Sequence, residues 1–142
     1  MIGADIRNLD AETLALLTNK DLIAINQDAE CRPPFLPVKR GWYGLDPAGA
    51  GWQYFEKDTD SCLNYFRHLE NGEYAIGYFN FYEGPARSNI MFAEYGLMPG
   101  CGYGFEMKNI FTGEVEGVFD SIHHVQLKGH DCAIYRAKLV KL

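Results

Sequence analysis

The dipeptide Asn71-Gly72 limits the folds open to this chain more than any other feature of its sequence. A two-residue hairpin turn needs positive φ at both central residues, and asparagine followed by glycine takes up that conformation at little cost. Aromatic and branched residues, which favour strands, flank the dipeptide on both sides. We therefore predict an antiparallel hairpin with strands at 61–68 and 73–80. Alternation sends Tyr74, Ile76 and Tyr78 to one face and Ala75, Gly77 and Phe79 to the other.

The rest of the C-terminal part repeats this pattern of short strands separated by turn residues. Thr112-Gly113 and Lys128-Gly129 are the clearest further turns. More strands are predicted at 88–94, 103–109, 114–119, 123–128 and 132–140. Short strands at this spacing predict a mainly β fold, an antiparallel β-sandwich.

The first 30 residues have a helical pattern instead. Asp10 is a suitable N-cap, and Glu12 follows in the first turn, where the helix dipole favours a negative charge. The apolar face of this helix is supplied by Leu14, Leu16 and Leu17. A second short helical turn is predicted over 21–26, with a stop between the two at Thr18-Asn19.

Length and composition fit an ordinary globular domain, with 142 residues of which 47% are hydrophobic. The net charge of −6 argues against nucleic acid or an anionic membrane as a partner, because both need clustered Lys and Arg. There is no run of about 18 apolar residues, so we predict no transmembrane helix. The start, Met1-Ile2-Gly3, does not resemble a signal peptide, which favours a cytoplasmic protein if Met1 is its natural start.

The four cysteines are Cys31, Cys62, Cys101 and Cys132. None forms a C-x-x-C pair, so a zinc site is not predicted. Four cysteines allow three disulfide connectivities, among which the sequence does not choose. Free, mostly buried thiols are the favoured interpretation.

His123, His124 and His130 resemble a set of metal ligands. Adjacent residues of a strand point to opposite faces, however, so His123 and His124 do not easily bind one ion. We therefore predict no metal site. The favoured interpretation is two histidines on a strand surface and one in a turn.

Two other groups of side chains are candidates for chemistry. Asp58 and Asp60, with Glu56 nearby, are possible paired carboxylates, but their polar neighbours favour an exposed loop. Trp42 and Trp52 lie in or next to a glycine-rich stretch and are candidates for stacking on a sugar. Core or interdomain packing is the favoured alternative for the two tryptophans.

A longer stretch carries a family resemblance. Its residues are Gly3-Ala4-Asp5-Ile6-Arg7-Asn8-Leu9, then Glu12-Thr13-Leu14, then Asn19-Lys20-Asp21-Leu22-Ile23-Ala24-Ile25-Asn26-Gln27-Asp28. This stretch closely resembles the α-galactosidase and α-N-acetylgalactosaminidase family of retaining glycosidases, where it spans the end of the last barrel strand and the final barrel helix. The segment from Asn71 to Asn80 is similar to a hairpin in the family's C-terminal β-domain. Residues 30–51 depart most from the family.

The resemblance implies a (β/α)8 barrel followed by an antiparallel Greek-key sandwich. Residues 1–30 then correspond to the end of the barrel, 31–51 to a Pro/Gly-rich connector and 52–142 to the β-domain. The family's two catalytic aspartates lie on barrel strands before the matched segment. Asp5 and Arg7 match the barrel rim but neither catalytic role. We therefore predict no catalytic residue and no cofactor in this chain, and no activity for the chain alone.

The leading hypothesis is a non-catalytic C-terminal β-domain of a hydrolase that cleaves terminal α-galactosides with retention, its partner being the catalytic barrel. The alternative is an independent carbohydrate-binding module that binds a galactoside through Trp42 and Trp52. A third hypothesis is a hydrolase that uses Asp58 and Asp60. If residues 1–30 are separated from the rest of a barrel, we expect them either to form a homo-oligomer contact or to be disordered.

Overall fold

The computed structural model describes residues 7–35, 41–45, 52–56 and 62–142, with the two short ranges described as backbone strands only. These ranges contain the helices α1 (Ala11–Leu17) and α2 (Lys20–Asn26), and 3-10 turns at Glu70–Gly72 and Phe92–Tyr95. The strands are β1 (Gly41–Leu45), β2 (Trp52–Glu56), β3 (Cys62–His68), β4 (Glu73–Asn80), β5 (Ala86–Met91), β6 (Tyr103–Asn109), β7 (Val115–Phe119), β8 (Ile122–Leu127) and β9 (Cys132–Lys141). None of the helices in these ranges is long and apolar enough to cross a membrane.

The strands form an antiparallel sandwich, as predicted. One layer is a five-stranded sheet in the order β3-β4-β9-β6-β7, and the opposite layer is the pair β5-β8. A third sheet pairs β1 with β2. The main core lies between the first two layers, where Ile76 of β4 and Phe92 are fully buried against Ile90 of β5.

The predicted hairpin is confirmed in its faces, but its loop has three residues, 70–72, and not two, because His68 pairs with Tyr74 and the Leu69 N–H donates to the Glu73 carbonyl. Asn71 has φ 62° and Gly72 has φ 71°, so both adopt the positive φ on which the prediction rests. Of the β4 residues beyond the turn, Ile76 and Tyr78 enter the main core. Ala75 points to the other side and is buried there in a second apolar cluster.

Both predicted helices are present, and each has a side-chain cap. Asp10 Oδ1 accepts a hydrogen bond from the Thr13 N–H at 2.7 Å at the start of α1. Asn19, expected only as part of the stop between the helices, is the N-cap of α2 and accepts from the Leu22 N–H at 2.9 Å. Capping therefore fixes where each helix begins.

The strand predicted at 88–94 ends early. β5 stops at Met91, and the chain turns through 3-10 geometry to Gly96, which has φ 90°. The turn buries Phe92 completely, and the Phe92 N–H donates to the Ser121 carbonyl at 2.9 Å. Burial of this ring in the core overrides its local preference for a strand. A second difference is that β1 lies inside the segment predicted as a connector, 31–51.

All four cysteines are thiols and not disulfides, but the expectation that they are mostly buried is wrong, because Cys31 and Cys101 are exposed and Cys62 and Cys132 are half-buried. Cys62 pairs with Asn80, and Cys132 pairs with Phe79, so β4 separates these two cysteines. Two strand spacings amount to about 9–10 Å. That separation exceeds the roughly 7 Å that a disulfide tolerates between Cα atoms.

Substitution of Gly72 by alanine tests the turn. A side chain there meets no atom within 4 Å, so the expected cost is purely that of positive φ. We expect Gly72→Ala to lower the free energy of unfolding by roughly 1–2 kcal/mol, measured by urea denaturation. Gly84→Ala is the matched control, because Gly84 also faces open space and has no positive φ. Equal losses in the two variants would contradict this account of the turn.

Candidate functional site

The outer face of the five-stranded sheet, which points away from the main core, is covered in part by helix α2. Ile25 of α2 is buried against Ala75 of β4 and Ile110. Leu22, one helical turn before Ile25, packs against the same cluster. The helix therefore buries one apolar stripe on the sheet.

Polar contacts hold the N-terminal end of α2 to the sheet. Besides capping the helix, Asn19 donates from Nδ2 to the Ile110 carbonyl at 3.1 Å. In the first turn, the Asp21 carboxylate accepts from Lys108 Nζ on β6 at 2.8 Å. Such half-exposed ion pairs contribute little free energy, but they orient the helix.

The C-terminal end of α2 is held as well. Arg67 of β3 donates from Nη1 to the Ile25 carbonyl at 2.8 Å, a favourable position for a cation near the negative end of a helix. Just beyond the helix, both carboxylate oxygens of Asp28 accept from the Glu70 N–H, at 2.9 and 3.1 Å. With both ends bound, α2 has a defined orientation on the sheet.

An apolar groove of about 510 Å³ lies beside α2 on the same face. Its floor depends on Gly77 of β4, because a Cβ there would lie 2.7 Å from the Phe79 ring. The Phe79 ring therefore lies across the glycine, edge-on to Tyr65 at 5.7 Å and stacked on Phe81 at 6.3 Å. Phe81 at the rim is 58% exposed.

Arg67 also lines this groove. Its Nε–H is buried, and among the described residues it has no hydrogen-bond acceptor. A buried unpaired donor of this kind is uncommon in folded proteins. The groove therefore combines an apolar surface with one unmet hydrogen-bond donor.

The apolar residues of the helical segment have different environments. Without a barrel, Leu14, Leu17, Leu22 and Ile23 need some other surface to cover them, and Leu22 packs on the sheet. By contrast, Leu14 is 49% exposed and Ile23 is 37% exposed. Within the described residues, only α2 is well covered by the sandwich.

A polar cluster surrounds His123 between the layers and reaches the surface at Glu116, whose side chain is 36% exposed. The sequence interpretation placed His123 on a strand surface, and this is wrong, because the residue is 1% exposed. Nδ1 of His123 lies 2.9 Å from the Tyr78 hydroxyl, and Nε2 lies 3.1 Å from Glu116 Oε2. The Tyr135 hydroxyl donates to the other carboxylate oxygen of Glu116 at 2.8 Å. His124, the neighbour of His123 in β8, points to the opposite, exposed face, as predicted.

The burial of His123 was recoverable from the sequence. In β8, the exposed residues alternate with buried ones, and His123 has the same parity as Val125 and Leu127. Those apolar residues mark the inward face of the strand. The sequence interpretation placed His123 on the surface because histidine is polar, and it did not apply the two-residue alternation of the strand.

The environment shifts the pKa values of this cluster in several directions. Burial lowers the pKa of His123, although Glu116 opposes that effect. Burial alone would raise the pKa of Glu116, but hydrogen bonds from Tyr135 and His123 bring it below its usual range. Burial raises the pKa of Tyr78 and that of Tyr135. The cluster is therefore a neutral imidazole between a neutral phenol and an ionised carboxylate.

Other predicted site residues are not brought together. His130 lies in a turn with φ 53°, and the described residues contain no group of three side chains suited to a metal ion. Asp58 and Asp60 lie outside the described residues, as do Asp5 and the side chain of Glu56.

The tryptophans are described only by their strands. The backbone register pairs Trp42 of β1 with Phe55, and Trp52 of β2 with Leu45. Their side chains lie outside what the structure describes. A sugar-stacking role for Trp42 and Trp52 stays a prediction.

Comparison with known proteins agrees with this architecture. A family model described as the alpha galactosidase C-terminal beta sandwich domain matches residues 61–137. The chain belongs to this family. The resemblance stated from the sequence is thereby confirmed.

Relatives of the α-galactosidase family match this chain over nearly its whole length or over a short segment. A probable alpha-galactosidase B from Talaromyces emersonii is 26% identical over 144 aligned positions, which cover 94% of this chain and 29% of the relative. Alpha-galactosidase 3 from Arabidopsis thaliana is 61% identical over 28 residues, 20% of this chain and 6% of the relative. This chain thus spans less than a third of each of these relatives.

Solved structures of the family share the fold. Alpha-galactosidase I from Mortierella vinacea superposes with a TM-score of 0.72 at 16% identity, over 96% of this chain and 30% of that one. An alpha-galactosidase from Saccharomyces cerevisiae, solved with raffinose, gives 0.71 at 16% identity, over 98% of this chain and 40% of that one. In these enzymes, the fold of this chain is one part of a longer polypeptide.

The two capping residues allow a matched test of how α2 is held in this α-galactosidase domain. We expect Asn19→Ala to cost about 1–2 kcal/mol, because it removes a cap and the bond to the Ile110 carbonyl. Asp10→Ala removes only the exposed cap of α1. Amide exchange should therefore become faster in α2 for Asn19→Ala and stay unchanged there for Asp10→Ala. Equal protection of α2 in both variants would count against the docking contacts described above.

Proposed function

We propose that this chain is the non-catalytic C-terminal β-domain of an α-galactosidase, and that its parent cleaves terminal α-galactosides with retention. In this proposal, the outer face of the five-stranded sheet packs on the catalytic barrel and stabilises it. The observation that carries it is the position of α2. This helix lies in the segment that resembles the last barrel helix, and both of its ends are bound to the sheet. The rest of a barrel would then lie next to the groove.

The character of the groove supports this role. Its lining is mostly apolar, and Phe81 remains 58% exposed at its rim. A contiguous exposed apolar surface of this kind commonly marks a protein interface. An adjoining barrel would cover this ring.

Two described carboxyl groups are unsuited to the acid role of a glycosidase. Retaining glycosidases need two carboxyl groups about 5–5.5 Å apart, one of them with a raised pKa to act as the acid. Hydrogen bonds from Thr13 lower the pKa of Asp10, while those from Tyr135 and His123 lower the pKa of Glu116.

Two measurements on the natural protein test the proposal. An antibody against this chain should detect a native polypeptide several-fold heavier than 16.1 kDa, since a barrel adds about 250 residues. The purified chain should not hydrolyse an aryl α-galactoside, whereas the heavier polypeptide should. A native band at the mass of this chain, or turnover by the chain alone, would overturn the proposal.

The groove offers a matched pair of variants in that longer polypeptide. Phe81 and its neighbour Tyr82 are 58% and 56% exposed, but only Phe81 lines the groove. We expect Phe81→Asp to shorten the half-life of α-galactosidase activity on heating about tenfold, through loss of roughly 1.4 kcal/mol of apolar burial. Tyr82→Asp should leave the half-life nearly unchanged. Equal half-lives in the two variants would exclude this face as the barrel contact.

A further inference from the structure

His123 connects the two layers of the sandwich by direct contacts. It lies on β8, in the two-stranded layer, and its ring nitrogens reach Tyr78 on β4 and Glu116 on β7 in the opposite layer. Tyr135 of β9 packs edge-on against its ring at 4.7 Å and also bonds Glu116. Phe119 closes another side at 4.8 Å. One imidazole therefore contacts three strands of the facing sheet.

The partners determine which nitrogen carries the proton in the neutral ring. An ionised carboxylate only accepts hydrogen bonds, so Nε2 donates to Glu116. Nδ1 is then the acceptor for the Tyr78 hydroxyl at 2.9 Å. In this state, both ring nitrogens and the buried hydroxyl have partners.

Protonation would reverse one of these hydrogen bonds. A proton on Nδ1 turns the nitrogen into a donor to the Tyr78 oxygen, so the Tyr78 O–H must turn to another acceptor. The His123 carbonyl, at 3.5 Å from the hydroxyl, is a long and weaker alternative. The ring would also carry a charge in a buried site, a cost that pairing with Glu116 offsets only in part.

We propose that His123 is an acid-sensitive tie between the layers, holding β8 against β4 and β7 while neutral and loosening that contact once protonated. This inference rests on the interior of the sandwich and is independent of the proposed role on a barrel.

The groups around the His123 ring determine whether the stability of the fold rises or falls with pH. Burial lowers the pKa of His123 below its ordinary value of 6.5, so the unfolded chain takes up the proton first. Stability is therefore fully present above pH 6.5 and is lost as the pH falls toward the folded pKa. Glu116 favours the protonated ring, and the charge of His124 disfavours it. Tyr78 and Tyr135 stay neutral throughout, since burial raises their pKa values.

Glu116 adds a separate loss at lower pH. Its pKa is also lowered, from 4.5, so its contribution is lost only as the pH falls below that value. Measurements between pH 7.5 and 5.5 therefore leave out the contribution of Glu116, and the histidine variants separate His123 from the other histidines.

The experiment compares the chain with two variants of adjacent histidines, His123→Gln and His124→Gln. Glutamine keeps a donor and an acceptor but does not titrate in this range. We expect the melting temperature of the unmodified chain to fall by roughly 3–5 °C from pH 7.5 to 5.5. His124→Gln should keep most of this slope, losing only the part due to repulsion between the two rings, and His123→Gln should flatten it.

Hydrogen exchange locates the effect. Exchange rates are first corrected for the intrinsic effect of pH. The opening rate of amides in the β5–β8 pair, divided by that of amides in β4–β9, should then be about fivefold higher at pH 5.5 than at pH 7.5. Two results would overturn the proposal: a pH slope that survives in His123→Gln, or opening that increases equally in both layers. If His123→Gln does not fold, NMR titration of the unmodified chain decides. The pKa of His123 must then lie below its ordinary value of 6.5.

Discussion

Burial of apolar side chains on both faces of the five-stranded sheet is the constraint on which the rest of the structure depends. On β4, Ile76 and Tyr78 are fully buried toward the β5–β8 layer, while Ala75 is buried on the opposite side against α2. Antiparallel sheets commonly leave one face in water. Here each face removes apolar surface from water, which is worth about 25 cal/mol per Å². The outer face therefore needs a cover, and α2 supplies part of it.

This arrangement joins two parts that the sequence treats as separate. The predicted boundary after residue 30 places α2 with a barrel, yet Asn19 bonds the Ile110 carbonyl and Asp21 pairs with Lys108 of β6. Each contact is weak by itself, but together they define how the helix lies on the sheet. A domain that holds α2 in this way presents a fixed surface to whatever adjoins it, which is the physical basis for the proposed role on a barrel.

The interior cluster shows why chemical groups alone do not define an active site. Tyr78, His123, Glu116 and Tyr135 are all residue types that catalyse proton transfer, and their pKa values are shifted. Structural networks shift pKa values as well. Here the hydrogen bonds connect the groups to one another between packed layers. Their consequence is a dependence of stability on pH, which the His123 variants measure.

The sequence by itself determined the features that rest on neighbouring residues: the Asn71-Gly72 turn, the cap at Asp10, and the alternation of β4 between two faces. These follow from φ preferences and periodicity, which act over a few residues. Tertiary structure alone decided the early end of β5 before Phe92. It also decided two long-range hydrogen bonds, one between His123 and Tyr78, 45 positions apart, and one from Asn19 to a carbonyl 91 residues away. Local propensity carries no information about such distant partners, because only packing of the whole core selects them.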